Sequence, residues 1–146
     1  KVVRNLGFGW DRIENALWRI YHGELDGYDA EKVILLMGTN NLDKNTNDEI
    51  IDGINELVRA VRHRQPKAQI YVAGILPRAW QESRVAALNE LLQVRLPADE
   101  ATYIDMSTEF LQPDGRIINE LFTDGLHPNK EGYQRMAKML EKAIKE

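Results

Sequence analysis

The stretch Lys32–Asn41, KVILLMGTNN, constrains this chain more than any other. Val33 to Met37 is an unbroken apolar run with β-branched residues. Such a run suits a strand buried on both faces of a parallel sheet, although periodicity alone also allows a short buried helix. It stops at Gly38-Thr39-Asn40-Asn41. Glycine lets the backbone turn close to a neighbour, and two amides stand where the apolar run has just ended. Ligands of open α/β sheets bind beyond the carboxyl ends of the strands, which makes Asn40 a candidate site residue. Asn is also a common turn residue, so both amides could serve turn backbone alone.

Around this run, strands and helices alternate. Val2 to Asn5 reads as a short strand entering a tight Gly7-Phe8-Gly9-Trp10 turn. Asp11 is the expected N-cap of a helix reaching Tyr21, with Ile13, Leu17 and Ile20 towards the sheet and Gly23 ending it. Trp18 is expected in the core or over its edge. Thr46 with Glu49 three residues on reads as a capping box. Behind it Ile50, Ile54, Leu57, Val58 and Val61 form one apolar face, Arg59, Arg62 and Arg64 suit the far end of the helix dipole, and Pro66 stops the helix. Gln69 to Ile75 is a third strand. Val85, Leu88, Leu92 and Arg95 then mark a helical line, widened by Leu91 and closed by Pro97. Thr102 to Ile104 is a last short strand, and a final helix from about Lys130 is expected to turn Tyr133, Met136, Ala137, Leu140 and Ile144 inward. The pattern predicts one α/β domain over residues 1–146, with a parallel sheet, right-handed crossovers and helices on both faces.

Charge and composition narrow the function. Nineteen basic against 23 acidic residues give a net charge of −4, which argues against a broad electrostatic surface for nucleic acid. The absence of cysteine removes thiolate chemistry and a disulfide framework. No apolar run approaches membrane-spanning length. Three scattered histidines without paired spacing make a poor metal site, and nothing in the sequence calls for a cofactor. The compartment stays open.

Asp124 and His127 form the second informative pair. A carboxylate three residues before an imidazole, on a loop, can reach Nδ1 and fix the ring, so that Nε2 acts as a general base. Gly125 lets such a loop fold back tightly. His22 has no such partner nearby in sequence, and His63 sits at the basic end of a helix, where a solvated role is expected.

Asn5-Leu6-Gly7-Phe8-Gly9-Trp10-Asp11, Gly38-Thr39-Asn40-Asn41 and Asp124-Gly125-Leu126-His127-Pro128 resemble three of the four motif blocks of the SGNH (GDSL-type) esterases and lipases. They occur in order and span essentially the whole chain. Leu17-Trp18-Arg19-Ile20 followed by Gly23-Glu24-Leu25 resembles the branch of platelet-activating-factor acetylhydrolase catalytic subunits and related bacterial acetylesterases. The resemblance implies a flavodoxin-like three-layer α/β/α fold and a Ser-His-Asp esterase acting on a small-molecule ester. It makes His127 the base and Asp124 its orienter. Asn40 becomes an oxyanion donor, joined by the backbone N–H of Trp10 or, if the turn shifts, of Gly9. A short acyl group, acetyl, follows from the branch resemblance; aromatic faces at Trp10 and Trp80 would suit a carbohydrate as one candidate acceptor, and a homodimer is one candidate assembly.

Two departures stand out. Trp10 occupies the position of the second-block glycine, where its indole could wall the acyl pocket, stack on a sugar or pack over the first helix. The first block, a strand leading into Gly-Asp-Ser, is absent. Only Ser83 and Ser107 are present, neither in that context. Ser83 is expected to help cap its helix. In a flavodoxin-like order the first strand lies between the second and third. Its loss predicts a gap between the Val2 and Val33 strands, with the missing strand, helix and nucleophile upstream of Lys1. Arg78 and Trp80, following a predicted strand, are candidate pocket walls and substrate-binding residues. Two other readings remain: a nucleophile-less SGNH-fold module that holds acyl or glycan ligands, and a flavodoxin-like nucleotide binder. The second lacks a complete glycine-rich phosphate turn.

Overall fold

The computed structural model describes residues 3–5, 12–27, 29–36 and 41–145. Among these residues four strands form one parallel sheet: β1 (Val3–Asn5), β2 (Lys32–Leu35), β3 (Gln69–Ala73) and β4 (Thr102–Ile104). Their spatial order is β1-β2-β3-β4. Val3 faces Lys32, Lys32 faces Gln69, and Tyr71 faces Thr102. The crossovers contain α1 (Ile13–Tyr21), α2 (Asn47–Arg64) and α3 (Glu82–Arg95); α4 (Lys130–Ile144) follows the last strand.

Sequential strand order with right-handed crossovers puts every crossover helix on the same face. The side chains bear this out through the two-residue period of a strand. Val33, Leu35, Ile70 and Val72 join a core with the apolar faces of α1, α2 and α3. Ile34, Tyr71, Ala73 and Ile104 point the other way, into a second core with Phe110, Phe122 and Met136 of α4. Phe110 and Phe122 meet edge-on, ring centroids 5.8 Å apart.

The α/β reading and its parallel sheet hold, and the apolar run of β2 is a strand. The expected gap does not: β1 pairs directly with β2, so the facing backbone groups satisfy one another and the sheet is continuous. The described strands therefore leave no opening between β1 and β2 for a further one.

The capping box forms as expected. Thr46 Oγ1 accepts from the Glu49 N–H at 3.2 Å, while Glu49 Oε1 accepts from the Thr46 N–H at 2.9 Å. Other local expectations shift. The cap position of α1 falls on Arg12, and Asp11 lies outside the described residues. Trp18 is exposed and stacks on His22, with ring centroids 4.0 Å apart. Leu91 is exposed, whereas Asn89 is buried and brackets Ile75, accepting from its N–H and donating to its carbonyl, each at 2.8 Å. The α4 face is rotated: Tyr133 and Ala137 face solvent, while Met136, Met139, Leu140, Ala143 and Ile144 pack inward. Ser83 is exposed in the first turn of α3, whose cap position belongs to Gln81.

Candidate active site

Residues 122–128 form a closed turn between a 3-10 turn, Asn119–Leu121, and α4. Phe122 and Pro128 bridge its ends, and the Thr123 N–H donates to the His127 carbonyl at 2.9 Å. Gly125 adopts φ +78°, a left-handed conformation that glycine takes without a Cβ penalty. The turn's own geometry assembles the pair. Asp124 Oδ1 accepts from the backbone N–H of Leu126 at 3.0 Å and of His127 at 2.7 Å, leaving Oδ2 to meet His127 Nδ1 at 2.7 Å. The His127 backbone N–H, then the His127 ring, then the Leu126 N–H hold the Asp124 carboxyl well below the usual carboxylate range. The carboxylate therefore stays ionised and fixes the imidazole through Nδ1, an arrangement in which Nε2 can exchange a proton.

Two anchors place this turn. The Ala79 N–H donates to the Gly125 carbonyl at 2.8 Å, setting the turn against the segment leaving β3, beyond the carboxyl end of the sheet. Behind it, Asn129 Oδ1 caps α4 through the Gly132 N–H at 2.9 Å, while Asn129 Nδ2 donates to the Glu120 carbonyl at 2.6 Å. Gly132 is there because α4 approaches the 3-10 turn closely: an added Cβ would meet the Leu121 carbonyl oxygen at 2.5 Å.

The loop after β2 is gripped from afar. Asn41 is 2% exposed, and its Oδ1 accepts from the Ile13 N–H, the first of α1, at 3.0 Å. Its Nδ2 donates to Glu14 at 2.7 Å and to Asn45 at 2.9 Å. Arg84 of α3 donates to the Leu42 carbonyl, to the Asn45 carbonyl at 2.6 Å and to Asn47 at 3.2 Å.

Of the predicted site residues, the structure brings His127 and Asp124 together. Asn40, Trp10 and Gly9 lie outside the described residues. Arg78 pairs with Asp43 at 3.2 Å, linking the segment after β3 to the loop after β2. Trp80 follows Ala79 and is 97% exposed at φ +68°, a costly conformation for a bulky residue. The Ser107 hydroxyl donates to Asp105 Oδ1 at 3.0 Å. The sequence reading overlooked Arg84, Asn129 and Gly132. Asn directly before a helix start is a legible cap signal; the long reach of Arg84 has none.

Fold and site together define an α/β domain that presents a His–Asp pair beyond the carboxyl ends of a parallel sheet. The chain belongs to the GDSL-like lipase/acylhydrolase family, whose model matches residues 1–135. It is 34% identical over 145 residues to human platelet-activating factor acetylhydrolase IB subunit alpha2, covering 96% of this chain and 63% of that protein. The chain thus spans somewhat under two thirds of the length of this relative. Among solved structures, a GDSL-like lipase from Bacteroides thetaiotaomicron matches with a TM-score of 0.78 at 16% identity, over 99% of this chain and 86% of the other. A mutant acetyl esterase solved with acetate ion matches at 25% identity and a TM-score of 0.64, over 80% of this chain and 58% of the other.

Proposed function

We propose that the protein hydrolyses a short-chain ester, acetyl in the first instance, of an alcohol. His127 acts as general base and then general acid, and Asp124 holds it. Asn40 and the backbone N–H of Trp10 or Gly9 receive the oxyanion, and Trp10, Arg78 and Trp80 border the acceptor. The observation that carries this reading is the 2.7 Å contact between His127 Nδ1 and an Asp124 carboxylate already held by two backbone N–H groups. Family membership and the acetylhydrolase relatives support it. In the reaction, the base takes the proton of a serine hydroxyl as its oxygen attacks the ester carbonyl, and returns it to the departing alkoxide. Water then repeats the attack on the acyl-enzyme. Ser107 is committed to Asp105 and Ser83 sits on the surface of α3, so the reading assigns the nucleophile to neither. It assigns that serine to chain outside these residues.

A fluorophosphonate tests this directly, because it phosphonylates the serine of a working Ser-His-Asp site. The full-length protein should gain a single adduct by intact mass, mapped to a serine outside residues 1–146 and lost in His127→Ala. An adduct on Ser83 or Ser107 would contradict the assignment. No adduct at all would favour the nucleophile-less binding module.

A further inference from the structure

We infer that Asn41 is a positioning residue that couples the two segments bearing the oxyanion donors, an inference that rests on the esterase reading for its catalytic meaning. Asn41 directly follows Asn40 in the chain, and Ile13 lies three residues beyond Trp10. One buried amide joins them. Asn41 Oδ1 accepts the first N–H of α1, from Ile13, at 3.0 Å, and Nδ2 donates to Glu14 of the same helix at 2.7 Å. The helix that starts after Trp10 is thereby capped by the residue after Asn40, twenty-eight positions further along the chain.

The chemistry of the contact selects asparagine. The site needs one acceptor, for Ile13, and one donor, for Glu14, on the same short side chain. The Asn41 hydrogen bond leads the causes that hold the Glu14 carboxyl below its usual range, so the donor faces a carboxylate. Nδ2 also donates to Asn45 Oδ1 at 2.9 Å, and the Asn41 carbonyl accepts the Asn45 N–H at 2.9 Å. Arg84 holds the same loop from α3 through the Leu42 and Asn45 carbonyls. Asn41 is therefore rigid on one side and grips α1 on the other. An oxyanion hole works only if its donors are fixed relative to one another before charge develops, since reorganisation during the reaction forfeits the gain. Asn41 supplies such a tie between the loop that follows β2 and the first turn of α1.

The test uses full-length protein with Asn41→Ala, Asn41→Asp, and Asn41→Asp combined with Glu14→Gln. The carboxylate of Asn41→Asp keeps an acceptor for Ile13 but faces Glu14 with like charge; Glu14→Gln then supplies the missing donor from the other side. Amide exchange by mass spectrometry is read first. In Asn41→Ala, exchange should rise at least roughly tenfold in residues 9–14 and 38–42 together, with 123–129 unchanged. On p-nitrophenyl acetate, kcat should fall about 100-fold with KM within about twofold. The single Asn41→Asp variant should behave likewise, and the double variant should recover most of kcat. Exchange rising in one segment only overturns the coupling. A folded Asn41→Ala protein with wild-type kcat overturns the catalytic role. If the wild type shows no turnover, the esterase reading fails by itself, and the exchange result still decides the coupling. If Asn41→Ala fails to fold, the double variant carries the same test: no recovery over Asn41→Asp overturns the pairing.

Discussion

The turn that holds Asp124 and His127 and the loop that follows β2 both offer polar groups at the carboxyl edge of one sheet, yet they are built in opposite ways. The Asp–His pair is set locally: among the described residues, each bond to the Asp124 carboxylate comes from a residue two or three positions away, and only the turn as a whole is anchored from Ala79. The loop after β2 is assembled from remote parts, with Asn41 reaching α1 and Arg84 reaching in from α3, forty-two positions from Leu42. A base needs only a correctly oriented imidazole, which local geometry can supply. Fixed oxyanion donors must hold their places relative to a nucleophile and to one another, which requires the tertiary frame.

If the pair is set locally, its chemistry can be destroyed without touching the fold. Asp124→Asn should give the largest effect, a loss of about 10⁴-fold in kcat, because the amide no longer holds the productive imidazole tautomer. Circular dichroism should match wild type, and the thermal midpoint should fall only slightly. A collapsed fold would mean that the turn is structurally indispensable. Gly132→Ala attacks the anchor behind the turn instead. Its Cβ would meet the Leu121 carbonyl oxygen at 2.5 Å and Pro128 Cβ at 2.8 Å, so α4 or the turn must shift. Overpacking of this kind costs about 1–3 kcal/mol, read by urea denaturation. An unchanged midpoint would show that α4 yields freely there.

A smaller effect concerns pH. The backbone N–H of His127, its ring and the Leu126 N–H lower the Asp124 carboxyl in the folded state. Its stabilising contribution is present above the ordinary carboxylate value of about 3.9 and lost as pH falls through the lower folded value. The stability difference between wild type and Asp124→Asn should therefore shrink as denaturation is repeated at more acid pH. A constant difference down to about pH 2 would deny the hydrogen-bonded carboxylate. The effect is modest because the side chain is half exposed.

The same contrast explains what the sequence made legible. The Thr46–Glu49 capping box and the reach of Asp124 to His127 Nδ1 rest on contacts three residues apart, which the spacing alone makes visible. Asn89 shows the converse. Its place on α3 looks polar and ordinary, but it is buried because β3 needs partners beyond its last residue. Gln65 is similar, donating to the Leu25 carbonyl and accepting from the Ala30 N–H across the fold. The inward face of α4 differs from the expected one near its start, because Gly132, rather than Tyr133, makes the close approach to Leu121. The gap expected between the first two strands came from an analogy of strand order, and direct pairing of Arg4 with Val33 stands in its place.

The most direct test is steady-state hydrolysis of p-nitrophenyl acetate by the full-length protein and its His127→Ala variant. The expected result is measurable turnover in the wild type and a loss of about 10⁴-fold or more in the variant, at least that of Asp124→Asn, with the fold intact. Turnover retained in a folded His127→Ala protein would contradict the assignment of the Asp124–His127 turn as the catalytic base.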